Sequence, residues 1–414
     1  MKTTLREDCS YIVEKAIAAV RPDAAVERAL AGRGFSSGRL VTVAIGKAAW
    51  TMAAAAKKAL GARMSAGVVV TKYGHSQGEI EGLHIFEAGH PVPDKNSFAA
   101  AEAALSAVSG LAAGDTVLLL LSGGGSALFE SPLVTPAELA DITKQLLACG
   151  ADIEEMNTIR KRLSKVKGSR FALRCAPAKV FSIVLSDVVG DRLDMIASGP
   201  ACPDSSTARD AGRIVEKYNL RLTPKMAELL AVETPKKLDN VETVVTGGVG
   251  LLCKAAAAAA RELGYGPQIL TDRLCCEARE AGSFLASVAR SHAGDGKNLA
   301  CIAGGETVVH LTGGGKGGRN QELALAAAEG LKGLDNAAVF SFGSDGTDGP
   351  TDAAGGFVDG NTASVLAAKG FSIFKTLAEN DSYNALSCCC GLIITGPTGT
   401  NVNDAAVALI RAQK

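Results

Sequence analysis

Three glycines stand between two serines in Ser122-Gly123-Gly124-Gly125-Ser126, directly after the apolar run Thr116–Leu121. Consecutive glycines let backbone N–H groups converge on one point, and a helix starting there adds a positive dipole end. The serines supply hydroxyl donors. A plain tight turn needs only one or two glycines, so this loop reads as an anion cradle. A second loop, Thr312-Gly313-Gly314-Gly315-Lys316-Gly317-Gly318-Arg319-Asn320-Gln321-Glu322, follows a strand expected over residues 306–311. Gly313, Gly315 and Gly318 match G-x-G-x-x-G, which admits a nicotinamide-binding reading. Lys316 and Arg319 instead suit a polyphosphate undergoing transfer, with Gly315, Lys316, Gly317, Gly318 and Asn320 holding its oxygens. Neither loop fits the P-loop pattern.

Other strand ends carry charge. Gly46-Lys47 follows Leu40–Ile45 and aims a cation at the ends of the strands, where α/β sheets gather ligands. Asp187 and Asp191, four residues apart after Lys179–Leu185, offer ligands for Mg²⁺ or an acceptor for a substrate hydroxyl proton; Asx turns are the alternative. Asp345, Asp348 and Asp352 form a third acidic loop without EF-hand spacing, suited to a metal, a sugar hydroxyl or a turn. Glycine cradles, acidic loops and a strand-end lysine are the parts of a phosphotransferase. The five histidines form no metal pair, and His90 before Pro91 reads as a turn residue. No G-x-S-x-G elbow is present.

These loops need a scaffold that brings strand ends together. Apolar runs at 40–45, 66–71, 84–88, 116–121 and 179–185 alternate with helical stretches at 48–60 and 97–110, the pattern of a parallel sheet covered by helices. The pattern weakens over 204–240, and Glu233-Thr234-Pro235-Lys236-Lys237 reads as a linker. Alternation resumes with strands expected at 241–246, 267–270, 299–303, 306–311, 337–342 and 391–394, and helices at 251–264, 274–293, 319–332, 361–369 and 402–412. A chain of 414 residues exceeds the about 250–300 at which one core stops growing. Two domains, 1–235 and 236–414, are expected.

Composition narrows the class. Lys+Arg and Asp+Glu both number 43, so the balance offers no polyanion partner, nucleic acid included. The basic run Arg160-Lys161-Arg162-Leu163-Ser164-Lys165-Val166-Lys167 reads as a solvated helix face, with a local anion site as the alternative. Eleven cysteines, including Cys388-Cys389-Cys390 on an expected strand, lack C-x-x-C or finger spacing and read as reduced thiols of a cytoplasmic protein. Acidic residues follow Met1 closely, and no segment reaches the ~18 apolar residues of a membrane span.

The ordered stretches Gly46-Lys47, Gly89-His90-Pro91-Val92-Pro93-Asp94, Leu121–Leu128, Ser186–Asp191, Ile196–Pro200, Gly304–Thr307, Gly317–Glu322, Asp345–Asp352 and Thr395–Asp404 resemble the class II glycerate kinases, the MOFRL-domain family, along essentially the whole chain. The resemblance implies a Rossmann-like N-terminal domain, a smaller C-terminal α/β domain and an active site in the cleft between them. It implies transfer of the ATP γ-phosphoryl group to D-glycerate with Mg²⁺, giving 2-phosphoglycerate. It also assigns activity to Lys47 and Arg319. From the acidic loop itself, Asp187 and Asp191 are expected at the metal, with Asp187 also orienting the glycerate hydroxyl. The expected assembly is a monomer or homodimer. The alternatives are an NAD(P)H-dependent hydroxypyruvate reductase and a non-catalytic phosphometabolite-binding protein.

Overall fold

A computed structural model describes residues 4–188, 190 and 192–413. The chain forms two compact units, Ala25–Thr246 and Met1–Ala24 joined to Gly247–Lys414. The first is built on six strands: β1 (Leu40–Ile45), β2 (Ala66–Lys72), β3 (Leu83–Ala88), β4 (Thr116–Leu121), β5 (Lys179–Leu185) and β6 (Val241–Gly247). Their order is β3-β2-β1-β4-β5-β6, and β1 to β5 pair in parallel. This is the dinucleotide-binding sheet order, whose direction of winding reverses between β1 and β4. Both strands are buried along their full length, as mostly aliphatic runs under two helical layers must be. Small side chains keep one layer close: Ala49, Ala53, Ala55 and Ala56 of the helix Ala49–Leu60 are buried.

The second unit holds β7 (Gly266–Leu274), β8 (Leu299–Gly305), β9 (Ala337–Gly343), β10 (Gly355–Asp359), β11 (Leu392–Ile393) and β12 (Asp404–Ile410), in the order β11-β10-β9-β12-β8-β7. Only β7 and β8 are parallel; the other neighbours run antiparallel. The helix Arg319–Leu331 is buried along most of its length and belongs to the core with the helix Ala278–His292.

Several expectations give way here. β6 extends the first sheet, so the chain leaves that unit after Thr246 rather than at 235, and the N-terminal helix Leu5–Ala19 belongs to the second unit. Residues 402–412 contain β12, a central strand and not a helix, because a seven-residue run buried on both faces has no period that separates the two. Residues 306–311 form no strand; their one ladder contact is an isolated bridge from Val308 to Glu277. Cys388 ends a helix, and Cys390 turns in a left-handed conformation. The supposed linker is anchored: Thr234 is buried and its hydroxyl donates to Asp204 Oδ2 at 2.6 Å.

The basic run is the largest reversal. Arg160, Lys161, Arg162 and Lys167 are buried, each near carboxylates remote in sequence or backbone oxygens. Lys161 Nζ lies 3.0 Å from Asp204 and 3.4 Å from Asp194, Arg162 lies 3.8 Å from Asp204, and Lys167 lies 2.6 Å from Glu130. Burial lowers the Lys167 pKa to about 8, with the Glu130 carboxylate opposing that shift. Removing one partner strands the others without water. Asp204→Ala is expected to cost about 3–5 kcal/mol of stability, read by chemical denaturation.

Candidate active site

The ends of β1 and β4 meet at the point where the sheet reverses. Gly46, at φ 122°, permits this, because a Cβ there would overlap Ser122. Lys47 N–H donates to Gly123 O at 2.9 Å. Ser122 Oγ accepts from Ala48 N–H at 3.1 Å and lies 3.4 Å from Ile45 O, so this hydroxyl is spent inside the fold. Beyond it the chain opens. The N–H groups of Gly123, Gly124, Gly125 and Ser126 have no acceptor within the described residues. Buried or half-buried backbone donors are nearly always paired, so four in succession make this loop a candidate site for an external acceptor. The helix that follows, Gly125–Leu128, is only four residues long, and the cradle rests on these N–H groups rather than on a helix dipole.

Charged groups surround the loop. A Cβ on Gly123 would overlap the Asp187 carboxylate, which places that group against the cradle. A Cβ on Gly124 would sit 3.1 Å from His90 Cδ2 and 3.2 Å from Lys47 Cγ, so His90 and Lys47 press on the same glycine. Burial first, then Lys47, Lys72 and His75, lower the His90 pKa and favour the neutral ring. His90 was not singled out by its sequence neighbourhood; its position at the reversal point depends on β3, and the ordered Gly89–Asp94 stretch was the available signal. Asp191 lies outside the described residues.

The floor of the cradle is held from below. Ala197 packs where Gly125 leaves room, and Arg160 Nη2 donates to Ser126 O at 3.1 Å. Ala197 and Ser198 adopt φ of 50° and 59°. Left-handed conformations cost non-glycine residues of order 1–3 kcal/mol each unless their surroundings fix them. Here Gly168 and Ser169 N–H donate to Ser198 O and Gly199 O at 3.0 and 2.7 Å.

The second glycine loop differs. Thr312 and Gly313 N–H donate to Asn380 Oδ1, Gly315 N–H to Glu379 O, and Lys316 N–H to Asp381 Oδ1. The first turn of the helix Arg319–Leu331 is capped from within: Asp348 accepts from Asn320 and Gln321 N–H at 3.1 and 2.8 Å. Cβ atoms on Gly313, Gly315, Gly317 and Gly318 would collide with Glu379, Asp381, Ser382 and Asp348. These glycines admit neighbouring segments of the same unit. Lys316 Nζ lies over the Tyr383 ring, 4.1 Å from its centroid. Arg319 donates from Nε to Asp404 Oδ2 at 2.5 Å, from Nη2 to Asp404 Oδ1 at 3.2 Å and from Nη1 to Glu306 Oε1 at 2.6 Å. Burial works against its charge, but these carboxylates outweigh it and raise its pKa. Two of its five N–H donors have no partner among the described residues.

With this geometry in place, similarity to known proteins decides the family. Residues 8–231 match a family described as a domain of unknown function, DUF4147, and residues 299–404 match the MOFRL family. The D-glycerate 2-kinase of Thermotoga maritima is 53% identical, over 98% of this chain and 99% of its own. A crystal structure of glycerate kinase from Thermotoga maritima superposes with a TM-score of 0.94 at 52% identity, covering 98% of this chain and 99% of that one. The chain belongs to the class II glycerate kinase family. An Agrobacterium vitis member, 41% identical over 98% of this chain and 94% of its own, carries the provisional name hydroxypyruvate reductase.

Two predictions follow from the hydrogen-bond pattern. Gly123→Ala should abolish ligand binding at its loop by pushing the Asp187 carboxylate aside, whereas Gly318→Ala, whose Cβ would meet the Asp348 backbone as well as its carboxylate, should cost on the order of 2–3 kcal/mol of stability. Burial also raises the Asp348 pKa to about 6, despite the Gln321 and Asn320 N–H bonds that lower it. Its folded pKa lies above the unfolded one, so its contribution favours folding fully below about pH 4 and is lost as pH rises through about 6. Carbon NMR of the Asp348 carboxyl should show that midpoint.

Proposed function

We propose that this protein transfers the γ-phosphoryl group of ATP to D-glycerate with Mg²⁺, giving 2-phosphoglycerate and ADP. The observation that carries the phosphate half of this reading is the N–H run Gly123–Ser126, without acceptors among the described residues, beside Lys47 and Asp187. The acceptor rests on the names of the relatives. Backbone N–H groups of the cradle hold phosphate oxygens, and Lys47 neutralises charge on the transferring group. His90 takes the proton of the glycerate 2-hydroxyl as that oxygen bonds to phosphorus and the bond to the ADP oxygen breaks. The two remaining N–H groups of Arg319 serve a carboxylate or phosphoryl oxygen.

Among the described residues, no three His, Cys, Asp or Glu side chains converge as a metal site. Mg²⁺ in phosphoryl transfer commonly uses one or two carboxylates together with substrate phosphates, and Asp187 at the cradle fits that requirement. When bound, the ion would supply charge neutralisation on the phosphates. No helix among the described residues is long and apolar enough to cross a membrane, and the unpaired cysteines suit the reducing cytoplasm.

The reductase alternative loses its motif support, since its glycine loop follows no strand and Asp348 caps the helix start. An assay with ATP, Mg²⁺ and D-glycerate, resolving 2- from 3-phosphoglycerate, should yield the 2-isomer. NAD(P)H oxidation with hydroxypyruvate and no ATP would contradict the proposal. Lys47→Ala should slow turnover by about 10³–10⁵-fold and His90→Ala by about 10²–10⁴-fold, with both variants folded.

A further inference from the structure

The proton count around Ser126 sets what its hydroxyl can recognise. Ser198 is fully buried, and its Oγ donates to Asn157 Oδ1 at 2.8 Å. Asn157 is also buried, and its orientation is fixed by Nδ2, which donates to Met195 Sδ at 3.5 Å. A thioether has no proton to give, so turning the amide over would set two acceptors against each other. The single proton of Ser198 is therefore committed to Asn157. The 2.8 Å contact between Ser126 Oγ and Ser198 Oγ then requires Ser126 to be the donor.

That leaves Ser126 with lone pairs and no proton to offer a ligand. An anion brings only lone pairs, so neither a phosphate nor a carboxylate gains a hydrogen bond from this side chain. A substrate hydroxyl does. We propose that Ser126, partly exposed at the end of the cradle, accepts a hydrogen bond from a hydroxyl of the bound hydroxy acid and thereby selects for that hydroxyl. The backbone of the loop serves the anion while this one side chain reads the acceptor. Ser198 and Asn157 act as positioning residues, and the left-handed Ser198 backbone holds the relay in place. The inference rests on the glycerate reading above.

The test compares D-glycerate with D-lactate, which keeps only the 2-hydroxyl, and 3-hydroxypropionate, which keeps only the 3-hydroxyl. Dissociation constants are measured by calorimetry on wild type, Ser126→Ala and Ser198→Ala, alongside the KM for ATP. Wild type should bind D-glycerate about tenfold more tightly than the analogue missing the recognised hydroxyl, as expected for one hydrogen bond. Ser126→Ala should lose that preference, with the KM for ATP unchanged. Ser198→Ala keeps Ser126 but removes the acceptor of its proton, and should show a reduced preference. Equal weakening of all three acids in Ser126→Ala, or a rise only in the KM for ATP, would mean donation to an anion and would overturn the assignment. An unchanged preference in Ser198→Ala would overturn the relay. A wild-type enzyme that binds glycerate but fails to phosphorylate it would instead overturn the glycerate kinase reading.

Discussion

Lys161 and Asp204, with side chains 1% and 0% exposed, meet at 3.0 Å where neither can reach water. Asp194 and Arg162 join the same cluster, and Asp194 lies just before the segment that carries Ala197 and Ser198. Such a cluster adds little net stability compared with an apolar core, since desolvation consumes most of the attraction. Its effect here is geometric. It ties the helix Ile153–Arg162 to the 194–206 segment, and that segment supplies both the side chain under Gly125 and the hydroxyl that orients Ser126. Two non-glycine residues can then keep left-handed conformations that an untethered loop would abandon.

Two glycine loops of similar composition are thus bonded differently along their backbones. Around Gly123–Ser126 the donors meet no acceptor among the described residues, while the N–H groups of Thr312, Gly313, Gly315, Lys316, Asn320 and Gln321 meet acceptors of the same unit. Glycine permits close approach in both. At the first loop it admits Asp187, His90, Lys47 and Ala197, and at the second the chain around Glu379–Ser382.

The sheet around the first cradle was readable because β1 and β4 are mostly aliphatic runs, followed at once by Gly46 and by Ser122-Gly123. Lys47 and the Ser122–Ser126 loop could be placed from that alone, and the family resemblance extended the reading to the acceptor. Pairing across distance was not readable. Arg160–Lys167 looked solvated because its partners, Glu130, Asp194 and Asp204, lie roughly thirty to forty residues away, as with Lys161 and Asp204. β12 looked helical because a run buried on both faces carries no period. The second loop looked like a cradle because Asp348 and Asn380, which occupy its donors, are separated from it by long stretches of chain.

Which loop receives the phosphate is the central claim, and amide hydrogen exchange with and without MgATP tests it most directly. Slower exchange across residues 122–127, with residues 312–321 unchanged, is the predicted result. Protection confined to 312–321, with 122–127 exchanging as in the free protein, would contradict the account.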